Sequence, residues 1–319
     1  EDGGPPAAQQ QVEVDDDDDD DGRDIRRGQR WRGGGVVIDR RGDRVIIQEG
    51  DQIFVQPVVP DEGERLLYGA RDVEVEELQG GFTRTIVYRD NGSEIVTIRD
   101  PAGNVVRRIR RTPDGREIVL IDNRFEVGQA PPPPEIIVLP RPVIRIPEER
   151  YIVDIGRASR QQLQEALMAP PVQEIERPYT LEEVTRSESL RSYMPRIDLD
   201  TITFDFGSAT ISSNQMEALA QLGLAMEAVI AENPDEVYLI EGHTDAVGSD
   251  YDNLILSDRR AEAVAVALSQ NFDIPPENLV TEGYGEQYLK VPTEGPSREN
   301  RRVAVRPITP LLQTSEAAQ

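Results

Sequence analysis

No cysteine occurs in the 319 residues, lysine occurs once, at Lys290, and histidine once, at His243. The missing thiols exclude disulfides, thiol catalysis, cysteine-held metal sites and a lipid-modified cysteine within this chain. With lysine so scarce, positive charge is almost all guanidinium, which suits bidentate contacts to carboxylates. One histidine and no thiol also remove the usual zinc sets and Cys/His pairs. No pair of carboxylates stands out for hydrolysis beyond Asp245, so neither an enzyme nor a metal or other cofactor is expected. No apolar run approaches the roughly 18 residues of a membrane-spanning helix, and no signal peptide is visible. The opening EDGGPPAAQQ reads as a mature or trimmed terminus. A basic excess is lacking too: 60 acidic residues face 35 basic ones, a formal net charge of −25, and no nucleic-acid partner is expected.

Residues 1–35 lack apolar periodicity. They hold the run Asp15 to Asp21 and then an arginine-rich stretch, and they read as a disordered tail. A calcium site is a poor alternative, because self-repelling carboxylates without the glycine and glutamate spacing of a calcium loop make no cage. Residues 36–127 carry short β-branched runs at 36–39, 44–48, 52–56, 84–89, 94–99, 105–110 and 117–122. Glycines at 92, 103 and 115 separate the later ones, and Asn91-Gly92 and Asp114-Gly115 point to tight hairpins with positive φ at both central positions. This predicts an antiparallel β-meander. Its strands are short for a transmembrane barrel and lack aromatic girdles. A soluble β spacer or adaptor domain is the expectation, and its function is not readable from these residues. Residues 128–195 follow as a proline-rich linker and short helices, at about 159–168 and at 181–193 with Thr180 as N-cap.

From 196 to 310 the pattern alternates: a strand with Ile202, Phe204 and Phe206 on one face, a helix around Met216 to Ile230, and a strand over 237–240. A long helix from about Asp250 to Asn271 and strands at 279–284 and 302–306 complete it. The order predicts a β-α-β-α-β-β two-layer domain within an α+β chain, leaving 311–319 as a tail.

Within that domain the stretch Tyr238 to Ala261 runs from an apolar strand through a polar, glycine-bearing loop into an amphipathic helix. Asp245 in the loop and Arg260 on the helix form an opposite-charge pair that suits a small zwitterion. Asn253, Ser257 and Arg260 are spaced four and three apart and share one helix face. The loop leaves the carboxyl end of a strand, where ligand sites of α/β sheets form.

The pieces ITFDFGSATIS (202–212), IEGHTDAVGS (240–249), NLILSDRRAEAV (253–264), VTEGYGEQYL (280–289) and SRENRRVAV (297–305) resemble, in order and spacing, the C-terminal domain of the outer-membrane protein A (OmpA) family. That resemblance covers about 110 residues and leaves 1–195 untouched. It implies non-covalent binding of peptidoglycan through the diaminopimelate residue of its stem peptide, on the periplasmic side of a Gram-negative outer membrane. Asp245 would take the ammonium and Arg260 the carboxylate, with Asn253 and Thr244 beside them. Gly242, His243, Gly248, Ser257, Asn300, Arg301 and Arg302 would support the loop, His243 by orienting it and Arg301 and Arg302 by bracing nearby acidic groups. Ala246 and Val247 stand where many relatives carry a polar residue, so only backbone groups can donate there. Residues 197–310 carry a formal net charge of −13, so grip on an anionic wall must rest on local geometry. The rival expectation is an adaptor whose β region, residues 36–127, binds an outer-membrane or periplasmic protein while the C-terminal domain only positions it on the wall.

Overall fold

The computed structural model describes residues 26–30, 35–41, 44–50, 52–57, 61–101, 103–123, 137–200, 202, 204, 208–211 and 215–312. The aspartate run and most of the segment expected as a strand around Phe206 lie outside these residues.

The first sheet is antiparallel: β1 (Val36–Arg41), β2 (Arg44–Glu49) and β3 (Gln52–Pro57), with β2 central. Arg30, placed in the tail by sequence, bridges to Val36. Alternation along β2 serves both faces. Val45 and Ile47 pack on Val37, and Ile46 packs with Val55 on the C-terminal half of the chain. A helix, α1 (Asp61–Leu67), leads to a second sheet of five consecutive antiparallel strands: β4 (Ala70–Glu77), β5 (Thr83–Arg89), β6 (Glu94–Arg99), β7 (Val105–Arg111) and β8 (Glu117–Asp122). The expected meander is therefore two sheets. The periodicity also misses α1 and β4. Every residue of β4 after Ala70 is exposed, so burial leaves no alternation to read there.

The hairpins differ in one respect from expectation. At the β5–β6 turn the Gly92 amide donates to the Arg89 carbonyl (3.0 Å) and the Arg89 amide to the Ser93 carbonyl (2.9 Å), giving three-residue loops. Only the glycine takes positive φ, +80° at Gly92, with Gly103 and Gly115 alike, while Asn91 and Asp114 do not. This is a type I turn closed by a left-handed glycine bulge, the other common way to match strand twist.

The described part of the proline-rich segment runs extended along the helices after it. The Ile137 carbonyl accepts from the Ser187 hydroxyl (2.5 Å), and the Pro140 carbonyl from that of Tyr193 (3.1 Å). Then come α2 (Glu148–Tyr151), β9 (Ile152–Asp154), α3 (Arg160–Leu167), α4 (Leu181–Arg186) and α5 (Glu188–Arg191). The single helix expected over 181–193 breaks at Ser187, which ends α4 and caps α5 by accepting from the Leu190 amide (3.1 Å).

The last sheet joins β10 (Arg196–Asp198), β11 (Tyr238–Gly242), β12 (Leu279–Gly283) and β13 (Val303–Pro307) in the order β12-β11-β13-β10-β9, with α6 (Met216–Glu232), α7 (Asp250–Phe272) and α8 (Thr309–Leu312). β12 is parallel to β11, β13 antiparallel to both β11 and β10, and β9 parallel to β10. Tyr238 and Ile240 face α3, α6 and α7, packing with Leu167, Met226, Val264 and Leu268. Leu239 and Val280 face the other way, onto Leu120 and Ile121 of β8 with Val184 and Leu311. The second face, which a two-layer reading leaves open, is thus covered by the N-terminal β region and α4. Leu254 joins Ile46 and Val55 rather than the sheet, so α7 is itself gripped from two sides.

Candidate functional site

Two glycines in register set how closely α7 crosses the sheet. Gly242 pairs with Gly283 across β11 and β12. A Cβ on Gly242 would lie 1.9 Å from the Ser257 carbonyl oxygen, and one on Gly283 2.3 Å from the Asp258 amide nitrogen. Helix backbone therefore rests directly on the strand ends, and the loop leaving β11 must run beneath the second turn of α7. The Thr244 amide donates to the Gly285 carbonyl and the His243 amide to the Arg302 carbonyl, each at 2.9 Å. Gly248, at φ +117°, turns the loop into Ser249, whose hydroxyl accepts from the Asp252 amide (3.2 Å) to start α7.

A cavity of 450 Å³ opens between this loop, α7 and the 296–301 segment, lined among others by Phe204, Thr244, Asp245, Asn253, Arg260 and Arg301. Asp245 is buried, and its Oδ2 accepts from the Ser297 amide (3.1 Å) and from the Arg301 guanidinium. The Arg260 guanidinium stands 4.9 Å over the Phe204 ring, and its Nε donates to the Ser208 carbonyl (3.1 Å). Burial, then the like charge of Arg301, lowers Arg260 to about 10 against a smaller opposing pull from Asp245. Asp252 at the rim is matched by Arg41 from β1. Inside it, the Arg260 and Arg301 guanidinium groups both stand near the Asp245 carboxylate, which Arg301 engages directly. The Thr244 hydroxyl, on a residue 2% exposed, has no hydrogen-bond partner. The site therefore holds an unused hydroxyl beside its carboxylate and its two guanidinium groups.

Asn253 donates from Nδ2 to the Asp245 carbonyl (3.2 Å) and to Glu286 (2.6 Å), which holds the loop and leaves its side chain on the cavity wall. Ser257 shares the helix spacing of Asn253 and Arg260 but not their outlook. Its fully buried hydroxyl donates to the Leu254 carbonyl (2.7 Å) and accepts from the Gly285 amide (2.8 Å). His243 stacks on Tyr284 at 5.6 Å and lies outside the cavity lining. Burial, then Arg302, lowers it to about 3, so the ring is neutral at physiological pH. Asn300 closes on the Val291 backbone, donating to its carbonyl and accepting from its amide at 2.8 Å each. Arg301 meets an acidic group, Asp245 itself. Arg302 instead donates to the Tyr288 and Asn300 carbonyls (3.1 and 3.5 Å). Val247 lines the cavity, as does the Gly248 backbone, and Ala246 does not.

Sequence reasoning missed the floor and one wall of the site. Phe204 reads as core from its alternation and does pack against the main core, but its ring also carries Arg260, which the sequence does not show. The Ser297 amide leaves no trace in a sequence. Among the described residues no group of three or more histidine or acidic side chains is placed to hold a metal ion, and no helix is long and apolar enough to cross a membrane.

Comparison with known proteins locates the resemblance. The chain is 34% identical over 91 residues to outer membrane porin F of Pseudomonas aeruginosa, covering 28% of this chain and 25% of that protein. To outer membrane porin F of Pseudomonas fluorescens it is 33% identical over 110 residues, 34% of this chain and 32% of that one. It thus spans about a quarter to a third of the length of these curated relatives. Among solved structures, the peptidoglycan-associated lipoprotein of Burkholderia pseudomallei shares 24% identity over 33% of this chain and 86% of that chain, with a TM-score of 0.29. The cell wall anchor of the T6SS of Pseudomonas aeruginosa shares 22% over 35% and 78%, also at 0.29. The OmpA family model matches residues 203–302, and through them the chain carries an OmpA-family domain.

Proposed function

We propose that this chain binds peptidoglycan without forming a covalent bond, and that the 450 Å³ cavity takes the zwitterionic end of a diaminopimelate side chain in the stem peptide. The observation that carries this reading is the meeting of Asp245, the unpartnered Thr244 hydroxyl and two mutually repelling guanidinium groups, Arg260 and Arg301, on one cavity. A ligand carboxylate beside Arg260 relieves the repulsion between the guanidinium groups. A ligand ammonium finds Asp245 Oδ1 and the unpartnered Thr244 hydroxyl, while Oδ2 stays with Arg301 and Ser297. The Phe204 ring keeps Arg260 in place and partly dry, which strengthens a charge-assisted contact. Similarity to envelope proteins supports a wall ligand, and in this reading the chain works on the periplasmic side of the envelope.

Each charge-assisted contact in such a pocket contributes about 1.5–3 kcal/mol, so losing one weakens binding roughly 10- to 100-fold. Co-sedimentation with purified diaminopimelate-type sacculi should retain the wild type and release Asp245→Ala and Arg260→Ala. Sacculi carrying lysine in place of diaminopimelate, which lack the side-chain carboxylate, should retain the wild type poorly. Full co-sedimentation of both variants would remove the site assignment, and equal retention on lysine-type sacculi would remove the diaminopimelate specificity.

A second reading, partner binding by the β region, is favoured by one observation. β4 is an edge strand exposed on both faces, with Val75 at 67% exposure between Glu74 and Glu76. Such an edge offers unpaired backbone groups to an added strand. Substituting Val75→Pro in the intact chain should abolish capture of an envelope protein while leaving sacculus binding unchanged. Capture at the wild-type level would count against this role for β4.

A further inference from the structure

On the flank of α7 away from Asp245, residues 259, 262, 263, 266, 269 and 270 follow the 3-4 spacing of one helical stripe and line a separate cavity of 630 Å³. Its opposite wall comes from the N-terminal region: Arg44 of β2, and Arg65, Leu67 and Tyr68 in and after α1.

Arg65 is 3% exposed although it carries a full charge. Its Nε meets Glu262 at 3.0 Å, and its Nη1 donates to the Pro276 and Leu279 carbonyls at 2.6 and 3.1 Å. Its Nη2 is buried with no partner. Across the same cavity the Ser269 hydroxyl, on a residue 5% exposed, is buried and equally without a partner. Buried donors in native proteins are almost always paired, because an unpaired one costs a hydrogen bond's desolvation. Two on facing walls of one cavity therefore mark a place built for an acceptor.

The remaining lining narrows the class. Arg44 is matched by Asp258 at 2.7 Å and Arg65 by Glu262, so the walls are close to neutral and the second charge of a dianion would face the Glu64 carboxylate. Leu67, Tyr68, Ala263 and Val266 supply apolar surface, and Arg259 stands exposed at the mouth. We infer that this cavity is a second binding site, for an organic monocarboxylate with an apolar body. The carboxylate accepts from Arg65 Nη2 and the Ser269 hydroxyl, and the body lies on Tyr68 and Val266. The inference is independent of wall binding at Asp245.

Titration of the full-length chain with benzoate and with hexanoate tests it, followed by calorimetry and by the arginine side-chain Nε–Hε resonances. The expected result is saturable binding that shifts the Arg65 resonance. Ser269→Ala should weaken it roughly five-fold. Val266→Trp, which fills the cavity from the helix without touching Arg65, should abolish it. Thermal unfolding of each variant shows whether it is folded, and sacculus binding should not change. No saturation at about 10 mM benzoate would mean that the cavity holds only water, and would overturn the inference. Benzamide binding as tightly as benzoate would overturn the requirement for charge. Inorganic phosphate binding as tightly would overturn the assigned class.

Discussion

Glu241 sits in the middle of β11 with 2% exposure, and its carboxylate persists there because guanidinium groups close on both oxygens. Arg306 reaches them with Nε and Nη2 at 3.1 Å each, and Arg191 Nε reaches Oε1 at 2.9 Å. Burial alone would raise the Glu241 pKa. Arg306, His243 and Arg191 outweigh it and hold the group well below the usual carboxylate range. Arg191 in turn lies 4.1 Å over the Tyr284 ring, so the charge is boxed by aromatic surface. Removing one partner of such a set leaves an uncompensated charge, so Arg306→Met should destabilise by about 3–5 kcal/mol in denaturant unfolding. Arg306→Met combined with Glu241→Gln should recover part of that loss, and no recovery would show that Arg306 acts by packing alone. Gly242, like Gly283, has no room for a side chain. A methyl group 1.9 Å from the Ser257 carbonyl must push α7 off the strand ends. Gly242→Ala is expected to cost about 1–3 kcal/mol and to weaken sacculus binding along with it, because the same shift moves the Asp245 loop away from Arg260.

At the scale of elements, local chemistry and packing divide the work visibly. α3 and α4 each begin with a full capping box, Ser159 with Gln162 and Thr180 with Glu183, of which only Thr180 is read from the sequence as an N-cap. Thr180→Ala should lower stability by about 1 kcal/mol, seen as a shifted denaturant midpoint at unchanged slope. The break at Ser187 is a different matter. Apolar spacing runs through it, yet its hydroxyl meets the Ile137 carbonyl and the Leu190 amide, contacts made by folding the proline-rich segment back. β4 escaped notice because its sequence ARDVEVEE alternates without a buried face, and edge pairing with β5 alone makes it a strand. The glycine spacing of the later hairpins fixed where the chain turns. The loop length depended on which residue took positive φ, and a neighbouring Asn or Asp does not decide that.

Across the whole molecule, the N-terminal β region is docked on the domain that bears the site. Arg110 of β7 donates to Glu277 (2.7 Å) and to Asn278, Arg44 to Asp258 (2.7 Å), and Arg186 of α4 meets Glu49 of β2 (2.5 Å). Where β3, α4 and β12 converge, Glu182 and Glu282 line one 120 Å³ cleft with Arg186. Burial raises Glu182 to about 7. Burial, then the charge of Asp258, raises Glu282 to about 8. Each binds a proton in the folded chain that the unfolded chain has released. Their stabilisation is therefore complete below the ordinary value of 4.5 and is lost as pH rises through 7 and 8. His243 works oppositely: lowered from 6.5 to about 3, it adds stability as pH rises toward 6.5. The fall should thus stand alone between about pH 6.5 and 8, at no more than about 1.4 kcal/mol per pH unit for each carboxyl group. Thermal unfolding across that range should show a declining midpoint, flattened by Glu282→Gln. A midpoint that stays level in the wild type would mean that both carboxylates are ionised in the folded chain.

The sequence by itself determined the alternation of strands and helices from 196 onward, the meander with its glycine turns, and the ordering of motifs that brings Asp245 and Arg260 to one strand end and one helix face. These are local matters of spacing, capping and backbone freedom, and they leave marks within a few residues. Only the tertiary structure decided that Phe204 carries Arg260 and that Arg301 already holds one oxygen of Asp245. It alone decided that Ser257 serves the loop rather than the cavity, and that β7 and β8 cover the sheet's second face. Each of these depends on residues 28 or more positions apart meeting in a shared space, and burial and charge balance there are properties of the packed neighbourhood, not of any one stretch of chain.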